Sequence, residues 1–333
     1  MTSSIDFSAI PTIDDVRAAA TRLAPHIVTT PLLESPALNA RIGGRLLIKA
    51  ECLQRTGSFK FRGALNRLMM IPEADHKRGV VAFSSGNHAQ GVAAAAQQLG
   101  MPAVIVMPAD APLMKINNTK GYGAEVRLYD RDKEDRLAIA HSYSNGRGMT
   151  LVPPFNDAGV IAGQGTAGLE LAAQARAMGA EIDAVSICCS GGGLAAGVAI
   201  AVHDSFPDAR FHTAEPAGFD DGARSFAAGR IESNSKTSGS ICDALLSPSL
   251  GDITFPALRN LGATGLVATD DEAREAMIAA FIHLKLVLEP GGAIALATLL
   301  NGRIDTKGKT VVAIASGGNV DPALYIETLG RAA

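Results

Sequence analysis

Residues 184–216 read AVSICCSGGGLAAGVAIAVHDSFPDARFHTAEP. An apolar run, Ala184 to Cys189, leads into Ser190-Gly191-Gly192-Gly193-Leu194, then into an alanine-rich segment of helical character from about 193. A second apolar run, Phe211 to Ala214, closes the unit. Short apolar strands alternating with helices form parallel sheets with helices on both faces. The same alternation runs along the chain. The expected strand Leu46 to Glu51 precedes the segment containing Lys60, and Val80 to Phe83 leads to a helix at 88–99. Ala103 to Met107 leads to 111–121, and Glu125 to Tyr129 to 131–145. Thr150 to Val152 precedes a long helix near 160–178, and a helix near 219–228 follows the second strand of the opening unit. Gly265 to Thr269 leads to 271–285, and Val311 to Ala315 to a last helix. Near 13–24, Thr12 is the expected N-cap, with Asp15 three residues on. The stretch 229–251 is the most loop-like. The fold class is therefore α/β.

A chain of 333 residues exceeds the usual size of one domain, so two are expected. Hydrophobic residues make up 47% and charged residues 19%, a well-cored balance. A net charge of −3 gives no bulk attraction to nucleic acid or to an anionic membrane. No apolar run reaches the ~18 residues that span a bilayer. The first fifteen residues carry acids and no apolar core, which does not suit a signal peptide. Cys52, Cys188, Cys189 and Cys242 lack zinc-ligand spacing and read as small buried hydrophobes in a reducing, cytoplasmic compartment. Cys188 and Cys189 should face opposite sides of their strand.

Three turns carry candidate chemistry. Ser190 to Leu194 stands between a strand and a helix, where converging N–H groups and the helix dipole favour a phosphate. A tight turn would use glycine too, but not three in succession. Gly191, Gly193 and Gly197 space one residue too long for the dinucleotide fingerprint, yet Glu215 ends the next strand where that motif wants its acid. A nicotinamide-dependent dehydrogenase stays open on this unit alone. Ser84-Ser85-Gly86-Asn87-His88 sits at another strand-to-helix junction and suits a carboxylate, although a plain cap would also place these residues there. Ser316-Gly317-Gly318-Asn319 follows the last strand, at the end where open α/β sheets bind ligands. Lys60 lies in Thr56-Gly57-Ser58-Phe59-Lys60-Phe61-Arg62-Gly63-Ala64, a glycine- and hydroxyl-rich segment. A lysine there can form a Schiff base with a carbonyl cofactor.

The ordered set GSFKFRGA (57–64), SSGNHAQG (84–91), VIAGQGT (160–166), SGGGL (190–194), AEP followed by DD (214–221), LEPGGA (288–293) and SGGNVD (316–321) resembles fold type II pyridoxal-phosphate enzymes. The likeness is closest to the serine/threonine dehydratase and serine racemase family and covers nearly the whole chain. It implies a tryptophan synthase β-like fold of two open, twisted, mostly parallel sheets. A small, mobile domain (75–150) would be inserted into a large cofactor-binding domain (1–74 and 151–333). It implies pyridoxal 5'-phosphate, with Lys60 as the Schiff-base lysine and catalytic base and Phe59 beside the ring. Ser190, Gly191, Gly192, Gly193 and Leu194 would hold the phosphate, where the family often has a fourth glycine in place of Ser190. Asn87 would meet the ring hydroxyl, and Ser316 the pyridine nitrogen. Ser84, Ser85 and His88 would receive the substrate, and Ser85 matches the acid/base that serine racemases use opposite the lysine.

Further residues follow from the same resemblance. Glu215, Asp221 and the Phe219 carbonyl would hold a Mg²⁺, Ca²⁺ or Mn²⁺ ion. Glu289 and Asp243 match acidic positions near the site, with no firm role. The implied reaction is β-elimination from a small β-hydroxy amino acid such as threonine or serine, giving a 2-oxo acid and ammonia, by a homodimer. A neutral serine at the pyridine nitrogen makes a shallower electron sink than a carboxylate, which suits elimination. Phe155 favours dehydration over racemisation. Arg136 falls near an arginine that reaches dicarboxylates, so 3-hydroxyaspartate is the alternative substrate and racemisation the alternative reaction. Beside Glu134 and Asp135, Arg136 also reads as a solvated helix residue.

Overall fold

The computed structural model describes residues 7–331 except 85, 112 and 131. The Thr12 side chain accepts from the Asp15 N–H and the Asp15 carboxylate accepts from the Thr12 N–H, and this capping box opens α1 (Ile13–Leu23) where the sequence places it. Then come β1 (Leu32–Glu34), α2 (Pro36–Ile42), β2 (Arg45–Lys49) and α3 (Lys60–Met69). Next are β3 (Val80–Phe83), α4 (Asn87–Gln98), β4 (Ala103–Pro108), α5 (Leu113–Gly121), β5 (Glu125–Tyr129), α6 (Arg136–Arg147) and β6 (Thr150–Leu151). The chain continues through α7 (Ala158–Ala177), β7 (Ala184–Cys188), α8 (Gly193–Ser205), β8 (Arg210–Pro216), α9 (Asp221–Ala228), α10 (Thr254–Asn260) and β9 (Thr264–Ala268). It ends with α11 (Asp270–Leu284), α12 (Pro290–Leu300), β10 (Thr310–Ile314) and α13 (Pro322–Gly330).

These strands form two sheets. A six-stranded sheet has the order β1-β2-β10-β7-β8-β9, parallel except for the antiparallel β1–β2 pair. A four-stranded parallel sheet has the order β5-β4-β3-β6. Parallel strands put all their C-terminal ends on one side, so the turns after β10 and β7, neighbours in the large sheet, lie together. β7 is buried along its length, as a central strand covered on both faces must be. No described helix is long and apolar enough to cross a membrane.

Most expected boundaries shift by one or two residues, and two of the shifts have a visible cause. The strand expected over 46–51 stops at Lys49, and Glu51 turns out of line to accept two hydrogen bonds from Arg62 at 2.7 and 2.8 Å. The helix expected from 131 starts at Arg136, where the Asp135 carboxylate caps the N–H of Leu137. Four helices, α2, α3, α10 and α12, carry no sequence expectation. α12 is buried on every side, and a helix apolar all round has no amphipathic period to read. α3 hides its helical character for the opposite reason: its buried face includes Arg62, Asn66 and Arg67.

Candidate active site

Lys60 opens α3 with Phe59 as its N-cap. The turn before it is clamped to the end of β10: the Phe59 N–H donates to the Ser316 carbonyl at 3.1 Å, and Ser58 bridges Gly317. Thr56, four residues before Lys60, holds a left-handed backbone with φ +63°, rare for a β-branched residue. The Asn319 amide fixes it by donating to the Thr56 carbonyl at 2.8 Å. Strain of this kind persists only where the surroundings over-determine it. The Lys60 Nζ donates to the Pro154 carbonyl at 2.9 Å and lies 5.0 Å from the centre of the Phe59 ring. Burial lowers its pKa from the ordinary 10.5 to about 8, with Cys188 and Glu289 opposing.

A second chain of contacts crosses from the Ser316 turn to α4. The Asn319 amide also donates to Asn87 Oδ1 at 2.7 Å, and Asn87 Nδ2 donates to Glu289 Oε1 at 2.5 Å. Asn87 Nδ2 carries two N–H groups and gives one to Glu289, which leaves one for an oxygen of a ligand. Glu289 is raised to about 7 by burial and then by Asp243, with Lys115 opposing. Lys115 pairs with Asp243, which joins α5 to the turn 243–245. Asn319 and Glu289 both lie inside the quoted motifs, where neither has a task. The contact that reveals them runs across 202 and 232 residues of chain, where no local spacing can report it.

The other expected residues have the following local geometry. Gly192 has φ +89°, a conformation that favours glycine, and a Cβ added to Gly191 would meet the Phe155 ring at 2.3 Å. Packing thus accounts for part of the glycine run. The anion-binding property rests on the start of α8, whose first N–H groups have no intrahelical partner. The Ser190 hydroxyl accepts from the Ser247 N–H at 3.1 Å, and Leu194 is buried in the first turn of α8. The Ser84 hydroxyl accepts from the Gly86 N–H at 3.1 Å; Ser85 lies outside the described residues. His88 donates Nε2–H to the Val152 carbonyl at 2.9 Å, and burial holds its pKa down at about 3, so it is a neutral imidazole. Its Nδ1 is buried without a partner, as are the hydroxyls of Thr56 and Ser58 just before Lys60. Orphaned polar atoms around one lysine fit a polar ligand. The Ser316 hydroxyl accepts from the Cys188 thiol at 3.1 Å.

Arg136 is exposed, and its guanidinium lies 5.4 Å from the centre of the Phe83 ring, the residue before Ser84. The exposure agrees with a solvated helix residue, and the neighbouring acids bind other groups: Glu134 pairs with Arg127 at 2.8 Å and Asp135 caps α6. Glu215 is fully buried and spends both oxygens on the N–H groups of Gly222 and Ala223, at 2.9 and 2.8 Å. It is therefore not turned toward a ribose, which removes the support for a dinucleotide. Asp221 Oδ1 accepts from Asn234 at 2.5 Å, while its Oδ2 is buried without a partner. Among the described residues no group of three or more His, Cys, Asp or Glu gathers to hold a metal, so a cation here needs the Phe219 carbonyl or water beside the two acids.

A family model described as pyridoxal-phosphate dependent enzyme matches residues 23–317. The chain is similar to an L-threo-3-hydroxyaspartate ammonia-lyase from Pseudomonas sp., 44% identical over 95% of this chain and 97% of the relative. Its structure is similar to that of maize serine racemase, with TM-score 0.90, 38% identity and coverage of 97% and 98% of the two chains. It is also similar to the serine racemase of Dictyostelium discoideum, with TM-score 0.87, 36% identity and coverage of 94% and 100%.

Proposed function

The chain belongs to the pyridoxal-phosphate-dependent enzyme family, and we propose that it eliminates water from a β-hydroxy amino acid; the enamine released then takes up water and loses ammonia, leaving a 2-oxo acid. The observation that carries this is the Lys60 amine, brought to about 8 in a turn tied to the Ser316 turn. The residues present fit the cofactor: anion-binding N–H groups at the start of α8, a free amide N–H on Asn87 and a hydroxyl at Ser316. When bound, the cofactor supplies a carbonyl that captures amines and an electron sink that acidifies the substrate's α-carbon.

The chain's own residues do the rest. Ser190 to Leu194 bind the phosphate, Asn87 and Ser316 orient the ring, and Phe59 packs beside it. N–H groups and hydroxyls from Ser84 to His88 take the substrate carboxylate, and Ser85 serves as the acid/base that partners the lysine. Neutral His88 adds no charge there. Lys60 Nζ, neutral in useful amount near pH 8, accepts the α-proton. The small domain, 75–150, closes over the substrate and excludes water.

One observation favours a dicarboxylate substrate over threonine and serine. Arg136, with neighbouring Glu134 and Asp135 engaged by other groups, stands beside the Ser84 turn on Phe83 and can pair bidentately with a second carboxylate. The Pseudomonas relative acts on such a substrate by name. Ammonia release from threonine, serine and 3-hydroxyaspartate, with Arg136→Ala as control, tests this. Loss of a charge-assisted pair should lower 3-hydroxyaspartate turnover roughly ten- to hundred-fold and spare serine. Equal losses on all three substrates would remove Arg136 from selectivity.

Two finer assignments complete the proposal. A divalent cation sits at Glu215, Asp221 and the Phe219 carbonyl, supported by the partnerless Asp221 Oδ2 and by a Glu215 carboxyl that burial and Asp221 raise to about 8. The protein works as a cytoplasmic homodimer.

A further inference from the structure

Cys188 ends β7 and Cys189 begins the turn that leads to α8. Their side chains face opposite ways: Cys189 feels the charges of Glu215 and Asp221, while Cys188 lies with Ser316, Lys60 and Glu289. Sequence alone treats Cys188 as a small apolar residue, yet its sulfur is 3.1 Å from the Ser316 hydroxyl oxygen. Cys188 and Ser316 are both buried, at 5% and 4% exposure. The contact follows from the sheet: β7 and β10 are adjacent and parallel, so the residues at and just beyond their C-terminal ends meet.

We infer that Cys188 is a positioning residue for Ser316: its thiol donates to the serine oxygen and leaves the serine's own proton free to donate to the ring nitrogen of bound pyridoxal phosphate. This rests on the cofactor reading above. A serine hydroxyl has one proton and two lone pairs. Were that proton turned toward the sulfur, a ring nitrogen could meet only lone pairs at Ser316 and would have to carry its own proton. With the thiol as donor, the serine proton goes to the ring and the nitrogen stays an acceptor. Among the described residues the Ser316 hydroxyl has no other hydrogen bond to the protein, so no other side chain sets its direction. Burial keeps the thiol protonated, pushing its pKa up to about 11, and so keeps it a donor. The backbone fixes the oxygen in place: the Ser316 N–H donates to the Gly292 carbonyl and the Ser316 carbonyl accepts from Phe59.

The test compares holoenzymes reconstituted with cofactor labelled with ¹⁵N in the ring. Cys188→Ala should move the ring-nitrogen resonance in the same direction as Ser316→Ala. Cys188→Ser, which keeps an O–H donor, should stay with the wild type. The double variant C188A/S316A should match S316A alone. Turnover in C188A should fall about five-fold at unchanged KM, the effect of one ordinary hydrogen bond. Cys188→Val, which fills the space without a donor, guards against a fold defect in C188A and should shift the resonance alike. A resonance in C188A and C188V that coincides with wild type, or C188S grouping with C188A, overturns the inference. Wild-type protein in which no labelled ring binds, or in which borohydride fixes the ring away from Lys60, overturns the cofactor reading itself and the inference with it.

Discussion

Burial makes the Lys60 amine unlike the surface lysines around it. An amine near pKa 8 is about half neutral at pH 8, whereas one at the ordinary 10.5 is almost wholly charged. In the cofactor-free protein, reaction of Lys60 with an acylating reagent should therefore reach half its maximal rate near pH 8, well below the surface lysines; peptide mapping after pulse labelling reads this. Glu215 supplies a second prediction with the opposite charge logic. Its folded pKa of about 8 lies above the ordinary 4.5, so the protonated form is the stable one in the fold. The stability it contributes is complete below about 4.5 and is lost as pH rises through about 8. Glu215→Gln should flatten the fall of Tm over that window. A cation bound there should raise Tm more near pH 8 than near pH 5, because at low pH it competes with the proton. Equal shifts at both pH values would place the ion elsewhere.

At the scale of elements, the lysine helix is held by a buried ionic cluster. Arg62, two residues after Lys60, forms two hydrogen bonds to Glu51 and two to Glu170 on α7, all between 2.7 and 2.8 Å. Lys49 joins the same Glu170 at 2.7 Å. The cluster ties β2, the turn after it, α3 and α7 into one support for the Lys60 turn. Arg62→Ala leaves Glu51 charged and unpaired in the interior and should destabilise the fold by about 3–5 kcal/mol in urea titration. A cost under about 1 kcal/mol would mean that the cluster does not brace this turn. The same cluster explains what the sequence concealed. Strands such as Val80–Phe83 and helices such as α1 announce themselves through an apolar run and a capping box. Arg62 looks like one more charge in a basic segment, and α12 like an unpatterned apolar run. The site divides in the same way. Lys60 and the three turns were legible because glycine and hydroxyl residues sit at strand ends. Asn319, Glu289, Cys188 and the Lys115–Asp243 pair acquire meaning only from contacts between distant segments.

At the scale of the whole molecule, the Lys115–Asp243 pair spans from α5, which follows β4 of the four-stranded sheet, to the turn at 243–245. Asp243 is half exposed, so the pair is a modest bond across the junction that the proposed closure would move. Lys115→Met should favour the open arrangement, raising substrate KM several-fold with little change in Tm. Unchanged KM together with a lowered Tm would make the pair a brace of the fold. The catalytic reading presupposes one thing, a carbonyl cofactor bound to Lys60. The purified protein should be yellow and lose its visible band on treatment with borohydride. Peptide mass mapping of the reduced protein should then find the pyridoxyl group on Lys60. A colourless protein that stays so when pyridoxal phosphate is added, or a reduced label on any other lysine, would contradict the account.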